Sequence, residues 1–160
     1  MTPRIRHIQD GDWAAIAGLE ASAYAETGLA EGELVLESRA SAATSFVVDT
    51  GGAIAGYVLA LPYPRFRYPD LNQPEVLAFQ SSNLHLHDLV IGEEFRGTGL
   101  AKDLLHRLTE DARSLEYRQV SLIAVTGSAD FWSARGYHGH PELALPSGYG
   151  AAAVYMSRQI

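Results

Sequence analysis

Arg96-Gly97-Thr98-Gly99-Leu100-Ala101 stands between two patterned runs: Leu84 to Ile91, which reads as an apolar strand, and Leu100 to Leu115, which reads as a helix. A strand, a glycine turn and a helix start together make an anion site. The first backbone N–H groups of a helix have no internal partner, and the helix dipole is positive at that end. Glycine lets the chain come close to whatever binds there. A phosphate or pyrophosphate is therefore expected. A Walker loop would need Lys-Ser or Lys-Thr after its last glycine, whereas Leu100-Ala101 follows Gly99. A dinucleotide turn needs G-x-G-x-x-G, and Lys102 stands where the third glycine belongs. An ordinary glycine turn ahead of a helix also fits these six residues, since short motifs recur by chance.

A third pattern is met in full. Arg96, Gly99 and Ala101 fit Arg/Gln-x-x-Gly-x-Gly/Ala, behind Asp88-Leu89-Val90-Ile91-Gly92-Glu93-Glu94-Phe95. Further on, Phe131-Trp132-Ser133-Ala134-Arg135-Gly136-Tyr137 resembles Phe-Tyr-x-x-x-Gly-Phe, and Gln119 to Val125 before it reads as a buried strand. On these residues the chain resembles, over essentially its whole length, the GNAT superfamily of N-acetyltransferases. The resemblance implies an α/β (α+β) fold, a mixed and mostly antiparallel central sheet flanked by helices in the order βααβββαβαββ. It implies one N-acetyltransferase domain over residues 1–160. It also implies acetyl-coenzyme A as co-substrate. Backbone groups of Leu89, Val90 and Ile91 would hold the pantetheine. The turn Arg96, Gly97, Thr98, Gly99, Leu100 and Ala101 would hold the pyrophosphate, with Phe131, Trp132 and Arg135 beside the cofactor.

Composition agrees. One hundred and sixty residues, 47% hydrophobic and 19% charged, suit one soluble domain with a real core. The absence of cysteine excludes disulfides, thiolate metal sites and a thiol nucleophile. No apolar run reaches the ~20 residues of a membrane span, and Met1 to Arg6 lacks the apolar region of a signal peptide. A cytoplasmic protein, monomer or homodimer, is expected. A net charge of −7 disfavours nucleic acid and mildly favours a cationic substrate.

The expected elements are a strand over Arg4 to Ile8, a helix capped by Asp10 or Asp12 and running to about Tyr24, and a second helix from about Glu31 to Ala42. Phe46 to Asp49 and Ala53 to Ala60 read as strands joined at Thr50-Gly51-Gly52. Pro62 to Asp70, with three prolines and three aromatics, reads as a shaped surface loop. His138 to Leu145 and Ala151 to Ser157 read as the last strands.

Leu84-His85-Leu86-His87 is similar to the arylalkylamine (serotonin) N-acetyltransferase group, in which paired histidines help to deprotonate the amine. Strand geometry puts His85 and His87 on one face and Leu84, Leu86 and Asp88 on the other. An imidazole titrates near neutrality and suits an ammonium substrate. His87, nearer the loop, is the favoured base, with His85 its partner; packed strand histidines are the plainer alternative. A His-x-His zinc site, with His138-Gly139-His140 repeating the spacing, lacks further ligands, so no metal is expected.

One residue departs from the family pattern. The family's Tyr protonates the departing coenzyme A thiolate, and here Trp132 takes that place; its indole N–H has no accessible acidic pKa. Unassisted departure, solvation by water or Ser128, and loss of catalysis stay open, with Trp132 read mainly as packing. The acceptor wall is expected from Tyr24, Glu26, Tyr63 and Phe66, where aromatic rings and a carboxylate would suit a small aryl or alkyl amine. A protein acetyltransferase acting on lysine or an N-terminus, and a non-catalytic coenzyme A-binding module, are the alternatives.

Overall fold

The computed structural model describes residues 2–160. Its elements are β1 (Arg4–His7), α1 (Trp13–Ala23), α2 (Glu33–Ser38), β2 (Phe46–Asp49), β3 (Ile54–Pro62), β4 (Asn83–Ile91), α3 (Leu100–Ser114), β5 (Gln119–Ala124), α4 (Ala129–Ser133), β6 (His138–Gly139) and β7 (Val154–Gln159). This is the order βααβββαβαββ. The strands form one seven-stranded sheet, β1-β2-β3-β4-β5-β7-β6, antiparallel except where β4 runs parallel to β5.

Each sheet face buries its own apolar set. α3 repeats apolar residues at helical spacing, and Leu100, Leu104, Leu105, Leu108 and Ala112 bury that stripe with Phe46, Val58, Leu84, Leu86 and Leu122. Trp132 and Tyr137 close this layer. On the other face Trp13 and Ile16 of α1 and Leu36 of α2 pack on Val47, Tyr57, Leu59 and Val90.

Two irregularities position the site. β4 pairs with β5 only over Asn83–His85 against Gln119–Ser121, after which the strands part. β4 also carries a bulge: Leu59 pairs with Asp88 and Ala60 with Leu86, so His87 is the extra residue. A bulge sets two residues against one and breaks the simple alternation. Asp88 therefore does not join Leu84 and Leu86, as strict alternation predicts. It turns to the α1 side with His85 and His87, and Tyr57 donates a 2.6 Å hydrogen bond to it.

Other expectations shift for local reasons. Asp12 precedes α1 without capping it; its carboxylate instead accepts the Arg6 guanidinium (2.8 and 2.9 Å) and the Gln9 N–H (2.8 Å). The second helix shrinks to Glu33–Ser38, because Gly32 enters at φ 89° and the N–H groups of Glu31 and Gly32 donate to the buried carboxylate of Glu20 (2.9 and 3.0 Å). The expected strand from His138 stops at Gly139. Pro141 has no N–H to pair, and a turn from His140 to Leu143 follows. Pro62 ends β3, and Tyr63 after it is buried rather than on a surface loop.

The long connection between β3 and β4 is tied down by Arg39, which is fully buried. Its guanidinium donates to Glu31 (2.7 Å), Glu75 (2.8 Å) and the carbonyls of Asp70 (2.9 Å) and Gln73 (2.8 Å). Removing one partner of a buried ion pair leaves the other charge uncompensated, at about 3–5 kcal/mol. Arg39→Leu should lose stability on that scale, seen as a lower denaturant midpoint. Burial pushes the Glu31 carboxyl up, but its bonds to His87 and Arg39 outweigh this and hold it below its ordinary range. A depressed carboxyl stabilises the fold above its unfolded pKa. That contribution fades as pH falls through the lower folded value. Wild-type stability should drop through that acid window, and Arg39→Leu should show a smaller drop there.

Candidate active site

A cavity of about 390 Å³ opens where β4 and β5 part. His85 to Leu89 and Ile91 line one side, and Leu122, Ile123, Val125 and Thr126 the other. Toward α3 and α4 it is bounded by Ala101, Ser128, Phe131 and Trp132. Toward α1 it is bounded by Glu20, Tyr24, Glu31, Leu71 and Tyr149. The separation of the strands thus makes one passage between the two faces of the sheet.

The turn before α3 lies at one end. Gly97 and Gly99 have φ 79° and 84°, a left-handed conformation that favours glycine. Among the described residues the N–H groups of Gly97, Thr98, Gly99, Leu100, Ala101 and Lys102 have no acceptor in the protein. The side chain of Arg96 runs back to the Ile91 carbonyl (3.2 Å), and Thr98 donates to the Phe95 carbonyl (2.6 Å). A row of free donors at the start of a fifteen-residue helix fits a pyrophosphate. Beyond His85 the backbone edge of β4 has no strand beside it, which leaves that edge at Leu89 and Ile91 open to an extended ligand, apart from the Ile91 carbonyl that already accepts from Arg96. Val90 turns into the core beside Tyr57, and the Leu100 side chain packs in the α3 layer.

Phe131 and Trp132 meet edge to face (4.9 Å between ring centres), and Trp132 meets Tyr137 likewise (5.4 Å). Arg135 donates to the Phe131 carbonyl (2.7 Å) and stacks over that residue's ring (3.6 Å). It does not line the cavity.

The polar groups gather at the α1 end. His87 Nε2 lies 2.5 Å from Glu31 Oε1, and Glu31 Oε2 accepts from Arg39. Asp88 accepts from both Tyr24 (2.6 Å) and Tyr57. Burial pushes the Asp88 carboxyl up, while the two phenol hydrogen bonds oppose that shift. Burial likewise pushes up the Glu20 carboxyl and the Tyr24 phenol. His85 is buried, with Nδ1 2.9 Å from Ser121 Oγ; burial, helped by the nearby His87 and then Arg39, pushes it down to about 3. His85 is therefore a neutral imidazole at ordinary pH.

Of the expected acceptor wall, Tyr24 lines the cavity; Glu26, Tyr63 and Phe66 do not. Glu26 is exposed on the turn after α1. Tyr63 packs behind His85 (5.9 Å) and Phe79 (4.8 Å) and donates to Glu75 (3.2 Å). Phe66 lies over Tyr155 and His140, on the far side of β5. Glu31 and Asp88 on the cavity wall, and Arg39 and Ser121 behind it, have polar roles that the sequence reading did not assign. The Glu31-Gly32-Glu33 break before α2 was the one available signal for Glu31.

The chain matches the Acetyltransferase (GNAT) family over residues 5–137 and belongs to it. It is an acyltransferase that uses acetyl-coenzyme A. No curated protein sequence matches it significantly. Its structure is similar to that of Ard1 from Thermoplasma volcanium (TM-score 0.75, 17% identity, covering 100% of this chain and 99% of that one). It is similar also to the loading GNATL domain of CurA from Lyngbya majuscula (TM-score 0.82, 14% identity, 99% and 98% covered). N-acetylglutamate synthase from Neisseria gonorrhoeae, complexed with coenzyme A and N-acetyl-glutamate, is a third (TM-score 0.74, 17% identity). There the likeness spans 99% of this chain but 35% of the synthase. At these identities the likeness concerns the fold.

A ligand that binds only the folded state raises its melting temperature. Acetyl-coenzyme A should do so here. Gly99→Asp should abolish the shift, because it places a carboxylate among the free N–H groups. A shift of wild-type size in that variant would move the pyrophosphate elsewhere.

Proposed function

We propose that the chain acetylates a small primary amine, as its similarity to the arylalkylamine N-acetyltransferase group implies, with His87 as the base. The observation that carries this reading is the His87–Glu31 pair on the cavity wall, with the buried Arg39 bonded to Glu31 behind it. Glu31 is held as a carboxylate by its partners, so it accepts the hydrogen on His87 Nε2. The lone pair of His87 is then on Nδ1, which has no protein partner. Nδ1 takes the ammonium proton, directly or through one water, and Glu31 stabilises the imidazolium that results. Acetyl-coenzyme A supplies an acyl group activated as a thioester, and the amine is acylated directly, with no cysteine to carry it.

The acceptor chamber supports a small cationic substrate. Its volume suits a small molecule. Three carboxyl groups, Glu20, Glu31 and Asp88, line it, and the tied-down connection brings Leu71 across it. Tyr24 donates its hydrogen to Asp88, so its oxygen has lone pairs left to accept from an amine N–H. Trp132 occupies the place of the family's phenol and packs between Phe131 and Tyr137. Ser128, on the cavity wall, is the hydroxyl left to solvate the coenzyme A sulfur.

Coenzyme A release measured over a panel of aryl and alkyl amines and of peptides tests the substrate class. Turnover should be found with amines; turnover confined to peptides would overturn it. His87→Gln should lower kcat by roughly 10²–10⁴-fold, the range for losing a general base, while leaving the acetyl-coenzyme A melting shift intact. Glu31→Gln should act in the same direction to a smaller extent. Wild-type turnover in His87→Gln would remove His87 from the chemistry.

A further inference from the structure

A line of polar side chains crosses the paired base of β4 and β5 and ends at His85. Arg65 Nη2 donates to Gln119 Oε1 (2.5 Å), and Gln119 Nε2 donates to Asn83 Oδ1 (3.0 Å). Asn83 Nδ2 donates to Ser121 Oγ (2.9 Å), which lies 2.9 Å from His85 Nδ1. The direction of this line is fixed by its own chemistry. A guanidinium only donates, so the Gln119 atom facing Arg65 is its oxygen. Asn83 Nδ2 also lies 3.1 Å from the Tyr63 carbonyl, which only accepts, so the Asn83 amide cannot be turned round.

Ser121 is fully buried and already accepts from Asn83. The acceptor within reach of its own hydrogen is His85 Nδ1. The reverse arrangement, with His85 donating into Ser121, would give the hydroxyl two donors and leave its hydrogen buried without an acceptor. The ring proton of His85 is therefore on Nε2. That nitrogen has no protein partner, and His85 lines the cavity. Burial keeps the ring neutral, which makes it a poor proton acceptor.

We infer that His85 is a hydrogen-bond donor and not a second base: the line from Arg65 through Ser121 fixes its Nε2–H toward the cavity, where it binds a lone pair of the acceptor molecule. The two histidines of one strand thus hold opposite roles. Glu31 leaves His87 with a free lone pair, and Ser121 leaves His85 with a free N–H. The preferred amine is then one that carries a carbonyl, hydroxyl or ether oxygen for His85 to bind. This last step rests on the proposed function; the tautomer of His85 does not.

Side-chain ¹⁵N NMR of the ligand-free protein reads the tautomer directly. His85 should show a pyridine-type Nδ1 and a pyrrole-type Nε2, unchanged between about pH 5 and 8, the range in which an ordinary histidine titrates. Ser121→Ala should shift the ring toward the other tautomer. A pyrrole-type Nδ1 in the wild type, or an imidazolium signal in that range, would overturn the inference even if Ser121→Ala does not fold. In turnover, His85→Gln keeps an N–H near the same place and should retain most activity. His85→Leu should raise KM for the amine roughly 3- to 10-fold, the scale of one hydrogen bond, with the pH profile of kcat/KM unchanged. Loss of a limb of that profile in His85→Gln would make His85 a base and sink the donor role. Absence of turnover on every amine would defeat the proposed function and leave the NMR result to decide the tautomer.

Discussion

β4 and β5 stay paired for three residues and then part, and the site exists because they do. Each strand keeps its other neighbour: β3 holds β4 along its length and β7 holds β5. The gap therefore opens inside a sheet that is otherwise closed, and it exposes backbone groups that the sheet would normally pair. Buried backbone polar groups need partners. A coenzyme A pantetheine, extended and amide-bearing, can take the place of the missing strand. The vertex of the gap is held from both faces. Leu84 and Val120 pack beneath it in the α3 layer, and Asn83, Gln119, Ser121 and His85 are joined by hydrogen bonds above. The same polar line that pins the strands together also orients the histidine at their divergence.

The bulge at His87 does the second part of the work. Strict alternation along β4 would bury Asp88 among leucines, where an unpartnered carboxyl is costly. The extra residue turns it to the opposite face, where two phenols satisfy it. His87 is then free to reach the α1–α2 connection and meet Glu31. Glu20, Glu31 and Asp88 all gather around one small chamber: the buried cation Arg39 pairs with Glu31, backbone N–H groups bond Glu20, and two phenols bond Asp88. Such a cluster is a weak source of stability, since the desolvation of buried charges offsets most of their attraction. Under the proposed function its use is chemical: it keeps a carboxylate behind His87 and gives a positively charged amine a favourable place.

The fold was legible in the sequence because its signals are local. The glycine turn at Gly97 and Gly99 needs only short-range geometry, and the stripe of Leu104, Leu105, Leu108 and Ala112 repeats at helical spacing. The turn proposed to hold the pyrophosphate was legible for the same reason. The acceptor end was not. The bulge that redirects Asp88 depends on pairing with β3, which alternation along one strand does not reveal. Glu31 lies far in sequence from His87 and meets it only through the folded α1–α2 connection, and Arg39, just after α2, bonds Glu31 from behind. Tyr63 and Phe66 belong to an aromatic loop that looked like a substrate wall. The chain uses them as cover for β4, β5 and β7, with the Phe66 N–H bonded to the buried Tyr155 hydroxyl (2.9 Å).

Trp132 shows how a missing group is accommodated. The family pattern has a phenol at that position; the indole here is buried edge-on between Phe131 and Tyr137. Tyr137 is no replacement, because it does not line the cavity and burial pushes its phenol up to about 12. Proton transfer from such a phenol to a thiolate with a conjugate pKa of about 8.5 would run uphill by several units. A thiolate of that basicity is already a fair leaving group near neutral pH. For the proposed amine substrate the demanding step is then the earlier one, deprotonation of a group that is almost wholly cationic in water. The polar architecture matches that proposal: a histidine bonded to a carboxylate, a ring of acidic groups and the second histidine all stand at the α1 end of the cavity. The sulfur end is left to packing and to Ser128.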